Sequence, residues 1–135
     1  MDGLQAQEWA VFPRIYIADQ EQGRRIAAHQ GHYEIHYMAK GQCDFFIHDR
    51  IYAMRPGDVV LVDAHTLRHV HDTPAQERII MEIHPGVMKW MDQMLPHIQI
   101  ESLFQYQSPL LRLTPALQER VEPVLKQMME ESVTR

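Results

Sequence analysis

The sequence predicts an antiparallel β-sandwich or β-barrel followed by α-helices, and three observations support this fold class. Up to about residue 84, short runs of residues alternate between apolar and polar, and turn signals separate the runs. The run DVVLV at 58–62 is almost entirely apolar, which is typical of a strand covered on both faces. After Pro85 the apolar residues recur at helical spacing instead.

Turn residues divide the first part of the chain into short strands. Gly41 can adopt a positive φ, and in Pro56-Gly57-Asp58 the proline presets φ while the glycine supplies flexibility. Many short strands at this spacing are typical of a sandwich or barrel. The strands are predicted near residues 13–18, 25–29, 33–39, 43–48, 51–54, 58–62, 68–71 and 77–84.

Two helices are predicted after Pro85. The first carries apolar residues at helical spacing and ends at Pro96. The second begins at Thr114-Pro115, with Thr114 as N-cap and Pro115 in the first helical position. Pro123 lies inside this second helix, so a kink or break is expected near Arg120.

The second helix carries an apolar stripe at coiled-coil-like spacing. Its residues are Leu117, Val121, Val124 and Met128. This stripe has two interpretations, which the sequence leaves open. The helix can pack on the barrel of its own chain, or it can pair with a second copy in a homodimer.

The composition restricts the class of partner. The formal net charge is −5 and there is no basic run, so this chain is not expected to present a nucleic-acid surface. The single cysteine excludes an intrachain disulfide and fits a reducing compartment. The N-terminus lacks a signal-peptide pattern, and no stretch approaches the roughly 18 apolar residues of a membrane span. We therefore expect a cytoplasmic protein with no membrane contact.

Two stretches resemble the paired motifs of the cupin superfamily. In the first, His29 is followed by four residues, Glu34, six residues and Gly41; the second opens with Pro56-Gly57-Asp58 and ends near a histidine. This resemblance implies a cupin-like double-stranded β-helix, a jelly-roll barrel, followed by C-terminal α-helices.

The stretch HYEIHYMAKGQCDFFIHDRIYAMRPGDVVLVDAHTLRHVH, with ERIIMEIHP after it, resembles the N-terminal ligand-sensing domain of AraC-type transcription regulators. The resemblance covers roughly residues 12–135. It implies an effector-binding barrel with an N-terminal arm over residues 1–85 and a helical dimerisation segment over 86–135. In that family a helix-turn-helix region follows and binds DNA. Since this sequence stops at Arg135, we expect it to be a fragment whose DNA contact resides in the missing region.

The cupin resemblance also allows the metal-ligand positions of metallocupins to be compared with this sequence. The four ligand positions of metallocupins fall on Ala27, His29, Glu34 and Arg68, so two of the four ligand types are absent. We therefore expect no cofactor and no catalytic role. If a metal binds, its ligands are expected to be His29, Glu34 and His69. The alternative hypothesis is a small metal-dependent cupin enzyme, such as a dioxygenase or isomerase.

A metal-free barrel can instead hold a small polar effector, a sugar or a small acid. Glu34 and Arg68 would offer carboxylate oxygens and a rigid fork of donors, although the two could also form an internal ion pair. Tyr33, Tyr37 or Trp9 could stack on a sugar face. The predicted ligand-binding residues are Trp9, His29, Glu34, His36, Met38 and Arg68. His36 and Met38 could equally fill the barrel, and a third hypothesis is an oligomerising scaffold with an empty barrel.

Overall fold

Two antiparallel sheets face each other and enclose a core. The computed structural model describes residues 14–18, 26–27, 31–105 and 108–133. Its strands are β1 (Arg14–Ile17), β2 (Ile26–Ala27), β3 (Tyr33–Lys40), β4 (Cys43–Ile47), β5 (Arg50–Met54), β6 (Asp58–Val62), β7 (Arg68–Asp72), β8 (Glu77–Ile83) and β9 (Leu110–Arg112). Its helices are α1 (Pro85–Met94), α2 (Ile100–Leu103) and α3 (Pro115–Val133).

The strand order is that of a jelly-roll barrel. One sheet has the order β1-β8-β3-β6-β9 and the other β2-β7-β4-β5. Side chains of both sheets meet between them in an apolar core that includes Met38 and Val60 from the first sheet and Phe45 and Met54 from the second. The predicted fold class, mainly β with a cupin-like barrel and C-terminal helices, is confirmed.

All eight strands expected from alternation are present. Two elements between the predicted helices were not predicted, the short helix α2 and strand β9. Strand β9 pairs with β6, where Val60 lies opposite Leu110, and β9 is therefore an edge strand of the five-stranded sheet. The helical half of the chain therefore returns to the sheet before α3 begins.

The helices cover the outer face of the five-stranded sheet. Helix α1 buries Val87 and Met88 in a cluster with Tyr33 and Phe104. Helix α3 buries Leu125 against Tyr37 and neighbouring residues of the same sheet. Strand β3 is thus covered on both faces, by the barrel interior on one side and by helices on the other.

Helix α3 begins and continues as its sequence chemistry dictates, with one exception. The backbone N–H of Leu117 donates to Thr114 Oγ1 at 3.3 Å, which is the predicted N-cap. Its first turn lies on the Pro-Gly-Asp turn, where Gly57 has a φ of +87° and a β-carbon would come within 2.3 Å of the Gln118 side chain. The helix runs through Pro123 without ending, so of the kink or break expected near Arg120 the break does not occur.

The apolar stripe of α3 divides between two surroundings. Val121 and Met128 pack against the barrel. Leu117 and Val124, which belong to the same stripe, are 45% and 54% exposed. The barrel therefore takes half of the stripe and leaves the other half at the surface.

Candidate functional site: a charged cluster inside the barrel

Strand β3 carries titratable side chains into the barrel. Alternation along a strand places Glu34, His36 and Met38 on one face, and all three are buried. The strand pairs with β6 on one side and with β8 on the other, so its position is fixed from both edges. An ionised residue in such a place requires partners, because burying an unpaired charge is costly.

Glu34 is the centre of the cluster and has three side-chain partners. His36 Nε2 lies 2.8 Å from Glu34 Oε1, and His32 Nε2 lies 3.2 Å from Oε2. The guanidinium of Arg68 contacts the same Oε2. Burial acts to raise the pKa of Glu34, but the hydrogen bonds from the two histidines and the charge of Arg68 hold it well below its ordinary value. The carboxylate is therefore ionised inside the barrel.

His36 connects Glu34 to a second arginine. Arg78 Nη1 lies 2.9 Å from His36 Nδ1. Since a guanidinium can only donate, Nδ1 must accept, which assigns the hydrogen to Nε2 and directs it at Glu34. Burial, with the nearby charge of Arg78, lowers the pKa of His36 to about 4. The imidazole is thus neutral and relays a hydrogen-bond chain from Arg78 to Glu34.

A second carboxylate lies directly opposite the first. Glu82 on β8 is the cross-strand partner of Glu34, a placement that is unfavourable for like charges unless they are compensated. The hydroxyl of Tyr16 donates to Glu82 Oε2, and Arg14 Nη1 lies 3.2 Å from Oε1. His32 Nε2 lies 3.6 Å from Glu82 Oε2 and so stands between the two carboxylates.

Three members of this cluster have the chemistry of metal ligands. One ligand atom each from His32, Glu34 and Glu82 lies within 4.8 Å of the others, and a nitrogen with two carboxylates suits a transition ion. However, the Arg68 guanidinium contacts Glu34 Oε2, and the Tyr16 hydroxyl contacts Glu82 Oε2. These oxygens already have charge-assisted or hydrogen-bonded partners, so the cluster as built fits an internal ion-pair network better than a metal.

The structure brings some of the predicted site residues together. Glu34, His36 and Arg68 are joined in the charged cluster, and Met38 lies beside it in the apolar core. Trp9 and His29 lie outside the described residues.

His69, named as a conditional metal ligand, is not brought to Glu34. Its neighbours Arg68 and Val70 point into the barrel, so His69 points to the outer face of the sheet. There its ring stacks on Phe46 with centroids 5.4 Å apart. The register contains no bulge in β7 that would turn His69 inward.

The expectation that Tyr33 or Tyr37 stacks on a ligand was wrong. Both occupy the outer face of β3, opposite in direction to Glu34 and His36. Tyr33 packs edge-on against Phe104, with ring centroids 5.0 Å apart, and Tyr37 lies under helix α3. Their hydroxyls donate to carboxylates of the helical segment and not into the barrel.

Sequence reasoning missed five members of the cluster: Arg14, Tyr16, His32, Arg78 and Glu82. A signal existed for three of them. His32 lies two residues before Glu34, and therefore extends the same-face series formed with His36. Arg78 and Glu82 are four residues apart along a strand, so their side chains point to the same face, and the three residues between them are apolar. The other two carried no such signal.

No helix among the described residues is long and apolar enough to cross a membrane.

Comparison with known proteins agrees with this architecture. A variant of ToxT from Vibrio cholerae is similar in structure with a TM-score of 0.55 and 13% identity, over 85% of this chain and 46% of ToxT. The AraC-like transcriptional activator CuxR gives a TM-score of 0.50 and 13% identity, over 88% of this chain and 39% of CuxR. This chain thus spans less than half the length of either regulator.

A cupin protein from Bacteroides fragilis is similar over 55% of this chain and 64% of its own, with 14% identity and a TM-score of 0.41. No curated protein matches the chain by sequence. A family model described as the AraC-like ligand binding domain matches residues 13–134. This match covers nearly the whole sequence, and the chain belongs to the family of AraC-like ligand-binding domains of transcription regulators.

Proposed function

We propose that the barrel binds a small polar effector, a sugar or a small acid, and that Glu34 and Arg68 are its principal contacts. The observation that carries this proposal is the buried cluster itself. Glu34, His36, Arg68 and Arg78 supply acceptors and donors side by side in one place. A ligand with neighbouring hydroxyls, or with a carboxylate, can replace the contacts between them without leaving a buried charge unpaired.

Both ligand classes suit this chemistry for different reasons. Sugar hydroxyls donate to a carboxylate and accept from a guanidinium, so one sugar can bridge Glu34 and Arg68. A carboxylate ligand can take the bidentate fork of an arginine. One solved structure of ToxT, 10% identical to this chain with a TM-score of 0.50, holds (E)-4-(8-methylnaphthalen-1-yl)but-3-enoic acid. Acids therefore belong in the ligand screen beside sugars.

The effector proposal is tested by a melting-temperature screen. Pentoses, hexoses, sugar acids and aromatic acids are added to the purified chain, and a true ligand raises the melting temperature in proportion to the logarithm of its concentration. Arg68→Lys keeps the charge but loses the fork, so it should abolish the shift. Arg50→Lys is the matched control, because Arg50 is an exposed residue at the start of strand β5.

Two outcomes would contradict this assignment. A shift that survives both Arg68→Lys and Glu34→Gln would place the ligand elsewhere. Failure of every compound would favour the scaffold hypothesis, in which the barrel binds nothing.

We further propose that the chain forms a homodimer through the exposed half of the α3 stripe, Leu117 and Val124. Burying each of these side chains in a helix pair is worth about 1.5–3 kcal/mol, so Leu117→Glu should weaken association about tenfold or more. Ile51→Glu is the matched control, since Ile51 is 67% exposed on the opposite sheet. Sedimentation equilibrium measures both. A chain that stays monomeric at high concentration, or a dimer unaffected by Leu117→Glu, would contradict the proposal.

DNA enters this proposal only through a longer protein. We propose that a helix-turn-helix region beyond this sequence makes the DNA contact, and that the domain described here acts without catalysis. Direct binding of a DNA duplex by this chain alone would contradict the proposal that a separate region makes the DNA contact.

The competing candidate is a metal-dependent cupin enzyme, which the grouping of His32, Glu34 and Glu82 favours. Elemental analysis of tag-free protein distinguishes the two. About one transition ion per chain, lost in both Glu34→Ala and Glu82→Ala, would support the enzyme and overturn the ion-pair interpretation.

A further inference from the structure

Strand β3 contacts the helical segment through two tyrosines on its outer face. The Tyr37 hydroxyl donates to Glu122 Oε1 of helix α3 at 2.7 Å. The Tyr33 hydroxyl donates to Glu101 Oε2 of helix α2 at 2.5 Å. Both bonds start from the strand whose inner face carries Glu34 and His36. One strand therefore contacts the charged cluster on one side and is hydrogen-bonded to two helices on the other.

The hydrogen bond from Tyr37 to Glu122 is stabilised by its surroundings. Tyr37 is 1% exposed and its ring packs against Leu125 of the same helix. Burial and the hydrogen bond to Glu122 raise the pKa of the phenol, so the hydroxyl remains a donor. The hydrogen bond from Tyr37 lowers the pKa of Glu122, and Lys126 holds the other carboxylate oxygen at 3.1 Å. The neutral Tyr37 hydroxyl thus donates to an ionised carboxylate that Lys126 also pairs with, which makes the hydrogen bond charge-assisted.

The geometry of β3 makes this contact sensitive to the cluster. His36 and Tyr37 are consecutive residues that point to opposite faces, so a backbone shift at one moves the other. Regular pairing with β8 ends in a register shift between Met38 and Lys40, just past these residues. A bulge interrupts the hydrogen-bond ladder locally and lets the strand bend there.

We propose that the hydrogen bond between Tyr37 and Glu122 transmits the state of the Glu34 cluster to helix α3. A change in the partners of Glu34 shifts β3, and the Tyr37 hydroxyl carries the shift to the middle of the helix whose exposed stripe includes Leu117 and Val124. Tyr33 makes the equivalent contact to α2 and is not required for the effect on α3. The regulatory meaning of this link rests on the proposed function, but the link itself can be measured without any effector.

Hydrogen–deuterium exchange of the α3 backbone amides tests the link. Glu34→Gln removes the charge that Arg68 contacts while keeping the shape of the side chain. This substitution should speed exchange around Glu122 by about fivefold, the lower end of common coupling strengths. In the Tyr37→Phe background, Glu34→Gln should produce no further acceleration in α3. In the Tyr33→Phe background the acceleration should remain, which makes Tyr33→Phe the matched control.

General loss of stability is separated from coupling by a further control. Val70→Ala removes apolar volume from the core without touching the Glu34 cluster, and it should leave the local exchange of α3 unchanged. If Glu34→Gln fails to fold by circular dichroism, Arg68→Lys takes its place.

The proposal would be overturned if Glu34→Gln accelerated exchange in α3 equally with and without the Tyr37 hydroxyl. It would also be overturned if Glu34→Gln changed the exchange of barrel amides but not that of α3 amides. Because no effector is present, failure here leaves the melting-temperature test of effector binding unaffected.

Discussion

The barrel interior contains two adjoining clusters that are equally buried but chemically opposite. One is hydrocarbon, with Phe45, Met54 and Val60 fully enclosed. The other is ionic, centred on Glu34 with Arg68 and Arg78. A core that served stability alone would be built entirely like the first, because buried ion pairs seldom stabilise more than packed hydrocarbon does. The ionic cluster is therefore the part of the barrel that requires a functional explanation.

Phe45 joins the two clusters. Its ring meets His36 edge-on with centroids 4.8 Å apart, and the Arg78 guanidinium carbon lies 5.5 Å from its centre. The aromatic ring thus gives Arg78 a partner face. The environment that keeps His36 neutral depends on burial among hydrocarbon as well as on the charge of Arg78.

The largest expected effect comes from breaking this junction. Phe45→Ala should lower the free energy of unfolding by about 3–5 kcal/mol, because it removes a fully buried ring and opens a cavity beside ions. Urea denaturation measures the loss. Val70→Ala, in the same apolar cluster, should cost less and should leave the pKa of His36 unchanged. An unchanged pKa of His36 in Phe45→Ala would show that Phe45 contributes through its volume alone.

The pH dependence of stability sharpens the comparison next. Burial lowers the pKa of His36 from 6.5 to about 4. Between these two pH values His36 binds a proton in the unfolded chain but not in the folded chain. The free energy of unfolding is therefore highest above pH 6.5 and falls as the pH decreases toward 4. The loss amounts to about 3 kcal/mol at most.

His36→Gln keeps a donor and an acceptor but cannot titrate, so its stability should be flatter than that of the wild type between pH 6.5 and 4. Urea denaturation at a series of pH values measures both. His71→Gln, on an exposed position of β7, serves as control. Parallel pH profiles for the wild type and His36→Gln would refute a buried neutral imidazole. Glu34 has a depressed pKa, so its contribution begins to fade only below its ordinary pKa of 4.5, and the range from pH 6.5 to 4.5 reports on His36.

The sequence predicts the hydrocarbon cluster better than the ionic one. Alternation finds the eight strands, and the turn residues place their ends, because each strand must bury at least one face. Strand β9 and helix α2 were missed because three or four residues carry too little pattern to be read.

The direction of side chains was harder to predict than the strands themselves. On β3 both faces are buried, one by the barrel and one by helices, so polarity does not distinguish Tyr37 from His36 as the inward residue. Glu34 and Arg68 were correctly expected to meet, because both fall on ligand positions of the cupin-like motifs and such positions converge inside the barrel. Arg78 and Glu82 belong to a distant strand, and their meeting with Glu34 depends on a register that only the folded sheet defines.

The smallest expected change in stability is also the most informative about function. Arg68→Met alone leaves Glu34 charged and buried beside the two histidines, and should cost about 3 kcal/mol or more. The double variant Glu34→Leu with Arg68→Met replaces the pair by hydrocarbon and should lose only about 1–2 kcal/mol, because the buried His36 Nε2–H is left without its acceptor. The same double variant should lose every melting-temperature shift that a sugar or acid gives the wild type. A double variant as unstable as the single one would mean that the ion pair is needed to build the barrel, and the inference from buried charge to ligand binding would fail.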